Sequence, residues 1–333
     1  MMATAKSFAS TSQRIGSRGA TVARIVFMGT PEFAVPVLVA LAEHHDLVGV
    51  ITQPDRPAGR GGAHARPVPP PAKEAALVRG LPVYQPQTLR TPEAVAQIAG
   101  WQPDVVVVAA FGQILRPPVL ALPAYGCLNV HASLLPCYRG AAPIPAAILA
   151  GEPVSGVTLM VMDEGLDTGP ILAQVEWPLA PDETTATLTS SLARLGARLV
   201  VQMLPRWLAG VIRPQPQDES QATWSRPLTK EDGLLDWSQP AALLDRRVRA
   251  CHPWPGAYTW LEGERLKILR AGSRTEWSGE GSPGRIVAVD VGIGVATGQG
   301  MLELMEVQLA GKKALSAELF ARGRKGLIGS RLG

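Results

Sequence analysis

Residues 24–52 read RIVFMGTPEFAVPVLVALAEHHDLVGVIT, and their pattern decides the fold class. The apolar run Arg24–Met28 stops at Gly29, as a short strand does. Thr30 suits a helix N-cap, Pro31 the first helical position and Glu32 the positive end of the helix dipole. Pro36 is expected to kink or delay that helix. Leu47–Thr52 is the next apolar run. This β-α-β order predicts an α/β protein with a Rossmann-like, mostly parallel sheet. No G-x-G-x-x-G accompanies it, so a dinucleotide site is poorly supported.

The following segments extend the same reading. Thr91-Pro92-Glu93 repeats the helix-start pattern, and Asp104–Phe111 (DVVVVAAF) has the β-branched, apolar composition of a central strand buried on both faces. Its end, Phe111-Gly112-Gln113-Ile114, falls at the sheet edge where open α/β folds hold ligands. Cys127–His131 is a neighbouring strand and Ala141–Leu149 a helix. Val157–Met162 and Ile171–Trp177 form a strand pair. Leu188, Leu192, Leu195 and Leu199 make a core stripe on a helix from Thr185 to Leu208. The Pro-rich, polar stretch from Gly210 to Ser220 reads as a linker. Beyond it come a helix near Pro240–Ala250 and short strands at 257–261, 265–270, 284–289, 293–297 and 301–307, the pattern of a small barrel. Trp254 and Trp260 are assigned to its core. The expected division is a disordered extension at 1–23, a catalytic domain at 24–209, a linker at 210–225 and a smaller domain at 226–333.

Between the strand at 127–131 and the one at 171–177 lie the residues that carry chemistry. Asn129 and His131, two apart on a strand, project from one face. An amide donor beside an imidazole can hold an oxyanion and move protons. The turn Asp163-Glu164-Gly165-Leu166-Asp167-Thr168-Gly169 adds a carboxylate, Asp167, between two glycines that permit close backbone approach. The three side chains suit attack of an amine or hydroxyl on a carbonyl carbon. The same residues are equally compatible with a structural histidine, a turn-serving asparagine and a surface turn. No G-x-S-x-G elbow is present, and Cys127, Cys137 and Cys251 lack metal-ligand spacing.

Composition narrows the partners. The chain has 333 residues with an apolar content of 46% and no long uncharged apolar run, which excludes a helical membrane protein. Three cysteines suit a reducing compartment. Charge is segregated: residues 32–221 carry twelve basic and sixteen acidic side chains, and residues 222–333 carry sixteen and twelve. In the last stretch Lys312, Lys313, Arg322, Arg324, Lys325 and Arg331 face only Glu318. Segregated basic excess favours a polyanionic partner. The Gly-, Pro- and Arg-rich stretch 53–71, with Arg56, Arg60 and Arg66, reads as a loop that closes on nucleic acid or as a plain surface excursion.

NVHASLLPCYRGAAPI (129–144) followed by MDEGLDTGPIL (162–172) resembles the folate-dependent formyltransferases, in particular the members that act on methionyl-tRNA. FMGTPEF (27–33), TQPDRPAGRG (52–61) and HPWPG (252–256) extend the resemblance over about residues 24–333. It implies a C-terminal OB-like β-barrel and transfer of a formyl group from 10-formyltetrahydrofolate to the α-amino group of initiator methionyl-tRNA, for translation initiation. Asn129, His131 and Asp167 are then the catalytic residues. The folate lies along Ser133, Leu134, Leu135 and Pro136 and the end formed by Phe111, Gly112 and Ile114. The tRNA meets Arg56, Arg60, Lys312 and Lys313, with Arg60 the key residue of its loop. No metal is needed, and a monomer in the bacterial cytoplasm is expected, the Ser-, Thr- and Arg-rich start leaving a mitochondrial address as the alternative. Ala132 replaces a glycine common in relatives, and Cys137-Tyr138 replaces a polar residue and a tryptophan. A formyltransferase for a small amine, such as an amino sugar nucleotide, would share the site without needing basic RNA-facing segments. An inactive tRNA-binding relative would not need the intact trio.

Overall fold

The computed structural model describes residues 23–57, 67–290 and 292–333; the expected extension up to Val22, and Arg60 and Arg66 of the basic loop, lie outside the described residues. In the N-terminal unit, β1 (Arg24–Gly29), α1 (Ala34–His44) and β2 (Asp46–Ile51) form the expected β-α-β start. Ala23, read as part of the extension, is buried and its carbonyl accepts from Asp46 N at 3.2 Å. The cap differs. The helix begins at Ala34 with Pro36 in its first turn, and Thr30 instead donates its hydroxyl to the Phe111 carbonyl (3.0 Å) and accepts from Gln53 N (3.2 Å). Thr30 therefore ties three loops together at the sheet edge.

A short antiparallel stem, β3 (Arg56–Pro57) with β4 (Pro67–Val68), carries the basic loop. After it come α2 (Pro71–Val78), β5 (Val83–Tyr84), α3 (Pro92–Gly100) and β6 (Val105–Ala109). Thr91 caps α3 by accepting from Ala94 N (3.3 Å), and β6 is buried along its whole length. The chain continues through α4 (Pro117–Leu120), β7 (Cys127–His131), β8 (Arg139–Gly140), α5 (Pro143–Ala150), β9 (Val154–Val161), β10 (Ile171–Pro178) and α6 (Thr185–Leu208). The sheet order is β10-β9-β7-β6-β1-β2-β5, parallel except where β9 runs against its two neighbours. A large core joins one sheet face to α1 and α6, and a smaller one joins the other face to α3 and α4. The α6 stripe is buried as its spacing requires.

The C-terminal unit packs α7 (Ala241–Ala250) and α8 (Ala317–Arg322) on an antiparallel sheet of β12 (Ala257–Leu261), β13 (Glu264–Arg274), β16 (Met301–Leu309), β15 (Gly292–Ala296) and β14 (Ile286–Val289), with β17 (Leu315–Ser316) beside β16. The expected OB-like barrel is not closed: among the described residues β12 and β14 do not pair. Residues 329–333 lie along the gap: Ile286 accepts from Gly329 N and donates to the Ser330 carbonyl, Leu332 N donates to the Gly284 carbonyl, and Gly333 N donates to the Trp260 carbonyl on the other edge. Two further expectations are corrected. Trp254 and Trp260 are 55% and 41% exposed, because Trp260 alternates with inward-facing Thr259 and Leu261 on β12. The stretch 210–225 is not a free linker: it lies against the N-terminal unit and contributes β11 (Trp224–Ser225), which pairs with β8. No helix among the described residues is long and apolar enough to cross a membrane.

Candidate active site

Strand β7 sets the first two residues. Leu128 and Val130 enter the core under α1 and α6, so Asn129 and His131 point from the opposite face, and both are nearly buried. The 163–169 turn after β9 folds back over that face. It brings Asp167 to Asn129, whose Nδ2 donates to Asp167 Oδ1 at 3.2 Å, and to Gly140, whose backbone N donates to Asp167 Oδ2 at 2.9 Å. His131 Nδ1 faces Asp167 Oδ2 at 3.7 Å, beyond hydrogen-bond length but close enough for an imidazolium to gain from the carboxylate. The other ring nitrogen, Nε2, lies 3.0 Å from the Tyr138 carbonyl. A carbonyl only accepts, so the network assigns the hydrogen to Nε2 and leaves the lone pair of the neutral ring on Nδ1.

The 133–140 loop is held from both sides. Ser133 Oγ donates to the Cys137 carbonyl (2.6 Å), and Thr158 Oγ1 donates to the Ser133 carbonyl (2.7 Å) while accepting from Leu135 N (3.0 Å). Tyr138 adopts φ 60° and Gly140 φ 107°. A side chain at 140 would collide with the Ser225 carbonyl on β11, so this close strand approach requires glycine. Tyr138 N donates to Thr223 Oγ1 (2.8 Å), and its phenol, paired with Glu152, is pushed above its ordinary pKa by burial and by that carboxylate. Burial also raises the Cys127 thiol to about 12, which leaves it unreactive.

The residues associated with folate are placed unequally. Gly112 and Ile114 are exposed and Leu134 and Pro136 half-buried, whereas Phe111, Ser133 and Leu135 are buried with their side chains committed inside the protein. Arg56 is exposed on the hairpin stem, and Lys312 and Lys313 are exposed in the turn after β16, far from β7 in sequence and on the other unit.

The sequence reading missed four contributors, Arg139, Gln217, Glu219 and Thr158. Arg139, 1% exposed, donates from Nε and Nη2 to Gln217 Oε1 (3.0 and 2.8 Å) and from Nη1 and Nη2 to Glu219 (2.8 and 2.7 Å). Glu219 holds the guanidinium firmly charged and is itself held below the usual carboxylate range by it. Gln217 reaches the Asp167 turn, and Thr158 braces the 133–135 backbone. Gln217 and Glu219 lie in a stretch with no periodicity, and no local signal could have found them; Arg139 was visible only as a lone charge beside Gly140. Two cavities, of about 450 and 300 Å3, lie elsewhere, around Leu235–Ser238 and between α5 and α7. Neither cavity is lined by Asn129, His131 or Asp167, all three of which are largely buried.

Comparison with known proteins follows the same outline. Residues 23–204 match the family described as formyl transferase, and residues 227–325 match the formyl transferase C-terminal domain. The methionyl-tRNA formyltransferase of Roseiflexus castenholzii is 49% identical over 312 residues, 93% of this chain and 99% of that protein. That of Myxococcus xanthus is 49% identical over 309 residues, 92% and 97% of the two chains. Among solved structures, an N-formyltransferase from Helicobacter canadensis has a TM-score of 0.62 at 17% identity, covering 85% of this chain and 99% of that one. HypX from Aquifex aeolicus, in complex with tetrahydrofolic acid, has a TM-score of 0.61 at 20% identity, covering 93% of this chain and 49% of that one. These two share the fold.

Proposed function

The chain belongs to the formyl transferase family, and from that premise we propose that it moves a formyl group from 10-formyltetrahydrofolate to the α-amino group of initiator methionyl-tRNA. The observation that supports the chemistry is the convergence of Asn129 and His131 on the Asp167 carboxylate. The extent of identity to methionyl-tRNA formyltransferases carries the choice of acceptor.

A folate-type donor supplies an electrophilic formyl carbon and a nitrogen leaving group; the exposed Gly112 and Ile114 and the half-buried Leu134 offer it an apolar edge beside the trio. Asn129 has two amide hydrogens. One is given to Asp167, and the second is free for the oxygen that becomes negative during attack. The α-amino group of an aminoacyl ester attacks only when neutral, so a proton acceptor must stand near it. His131 Nδ1 and Asp167 Oδ2 form that acceptor pair: a proton taken by Nδ1 makes an imidazolium facing the carboxylate, and the Nε2 hydrogen bond to Tyr138 keeps the ring oriented. From the same position His131 can return a proton to the departing nitrogen.

Several surface features support an RNA acceptor. Tyr258 and Trp260 stand on the outward face of β12 with Arg265 stacked on Tyr258 at 3.7 Å, an aromatic-cationic row suited to bases and phosphates. Exposed Arg56, Lys312 and Lys313 add charge for the backbone; Arg60, outside the described residues, is assigned to the same contact by resemblance alone, and the reading is of a monomer acting in the bacterial cytoplasm. The test is single-turnover formylation of methionyl-tRNA with 10-formyltetrahydrofolate at two salt concentrations, beside Arg60→Ala. Formylation that weakens with salt and with the substitution is expected. Folate binding without tRNA formylation would transfer the assignment to a small-amine acceptor, and no folate binding would refute it.

A further inference from the structure

The segment joining the two units reaches into the candidate active site. Gln215 exchanges two backbone hydrogen bonds with Ile171, each 2.8 Å. Two residues on, Gln217 Nε2 donates to the carbonyls of Asp167 (2.8 Å) and Gly169 (2.7 Å), while its Oε1 accepts from the buried Arg139. One side-chain amide thus fastens both walls of the site: the turn bearing Asp167 and the loop bearing Gly140. Asp167 needs such support. Its φ is 56°, the left-handed region that side chains rarely occupy, and its neighbours in the turn supply only the Asp163 bonds to Gly165 N and Thr168 Oγ1.

We infer that Gln217 is a positioning residue for formyl transfer: through the Asp167 and Gly169 carbonyls it fixes the backbone from which Asp167 meets Asn129, Gly140 and His131 together. The inference rests on the formyl-transfer reading above. The position requires two donors and one acceptor on a single planar group, which glutamine has. Glutamate keeps the size and the acceptor for Arg139 but has no hydrogen for the two carbonyls when ionised. Alanine loses both.

The experiment compares wild type, Gln217→Glu and Gln217→Ala by kcat, by KM for methionyl-tRNA and for 10-formyltetrahydrofolate, and by amide hydrogen exchange over residues 138–142 and 163–172. Both variants are expected to lower kcat by about 10- to 100-fold with either KM changed less than about threefold, the signature of lost orientation in place of lost binding. Exchange should quicken in the two named stretches and stay unchanged in β1 and β6. Gln217→Glu decides the matter, because a residue that served only to bury Arg139 would tolerate it. Wild-type kcat and exchange in that variant, or a change confined to KM, would overturn the inference. If wild type fails to formylate methionyl-tRNA, the functional reading falls and the catalytic part of the inference with it, while exchange at 163–172 still decides whether Gln217 holds the Asp167 turn: unchanged exchange refutes that hold and faster exchange upholds it.

Discussion

Replacing His131 by Ala removes the imidazole that faces Asp167 and leaves the β7 backbone ladder intact. We expect kcat to fall about 10²- to 10⁴-fold in single-turnover formylation, the usual worth of a positioned acid–base group, with the protein still folded by its thermal midpoint. Asn129→Ala should cost about 10²- to 10³-fold, because it removes the donor proposed for the developing oxyanion. On the proposed roles, in which His131 and Asp167 handle the same proton, the double variant His131→Ala, Asp167→Ala should be little worse than the single ones; full multiplication of the two losses would mean independent roles. The i, i+2 spacing made Asn129 and His131 legible as a pair, since strand geometry alone puts them on one face. Asp167 was legible as a carboxylate between glycines, but its left-handed backbone was not, and neither was the Tyr138 carbonyl that orients His131. The Asp167 backbone is held by Gln217, and Tyr138, though seven residues from His131, is itself held by Thr223, both far along the chain.

Elements that contain their own signals were read well. Helix α6 begins at a Thr184–Thr187 capping box and buries its leucine stripe, both local features. Leu192, fully buried between that helix and the sheet, should cost about 2–5 kcal/mol when cut to Ala, read as a loss in denaturant-unfolding free energy with no change in KM. The joining segment was misread as a linker because its partners are remote: Gln217 bonds residues 48 to 78 positions away, and β11 pairs with β8 across a similar gap. The same segment enters the C-terminal unit through Asp232, which accepts from Arg226 and from Thr229 N. Those donors hold its carboxyl below the usual carboxylate range. A depressed folded pKa stabilises above the unfolded value and loses that stability as pH falls. Asp232→Asn should therefore cost about 1–3 kcal/mol at pH 7, and the gap to wild type should begin to close only below about pH 4. A gap independent of pH between 2 and 7 would show that the carboxylate charge is irrelevant there.

Over the whole molecule, charge and chemistry are divided between the two units. The trio sits in the part where acids outnumber bases, sixteen to twelve, and the excess of bases lies in residues 222–333. A tRNA held through its phosphates on the second unit, as proposed, need not draw positive charge close to a site whose acceptor amine must lose a proton. Lys312 and Lys313, exposed in the turn after β16, test this division without touching the site. Lys312→Ala, Lys313→Ala should raise KM for methionyl-tRNA, leave kcat at saturating tRNA unchanged, and flatten the log–log salt dependence of tRNA affinity by about one to two units, roughly 0.7 to 0.9 for each phosphate no longer neutralised. KM for 10-formyltetrahydrofolate should not move, because the donor edge proposed at Gly112 and Ile114 belongs to the other unit. If the salt slope survives the double substitution, the polyanion lies along the stem that begins at Arg56, and the basic C-terminal surface is solvated charge. If kcat falls with KM, the second unit does more than hold RNA: its seating then bears on Asp167 through the 215–225 segment, the only covalent route between the two.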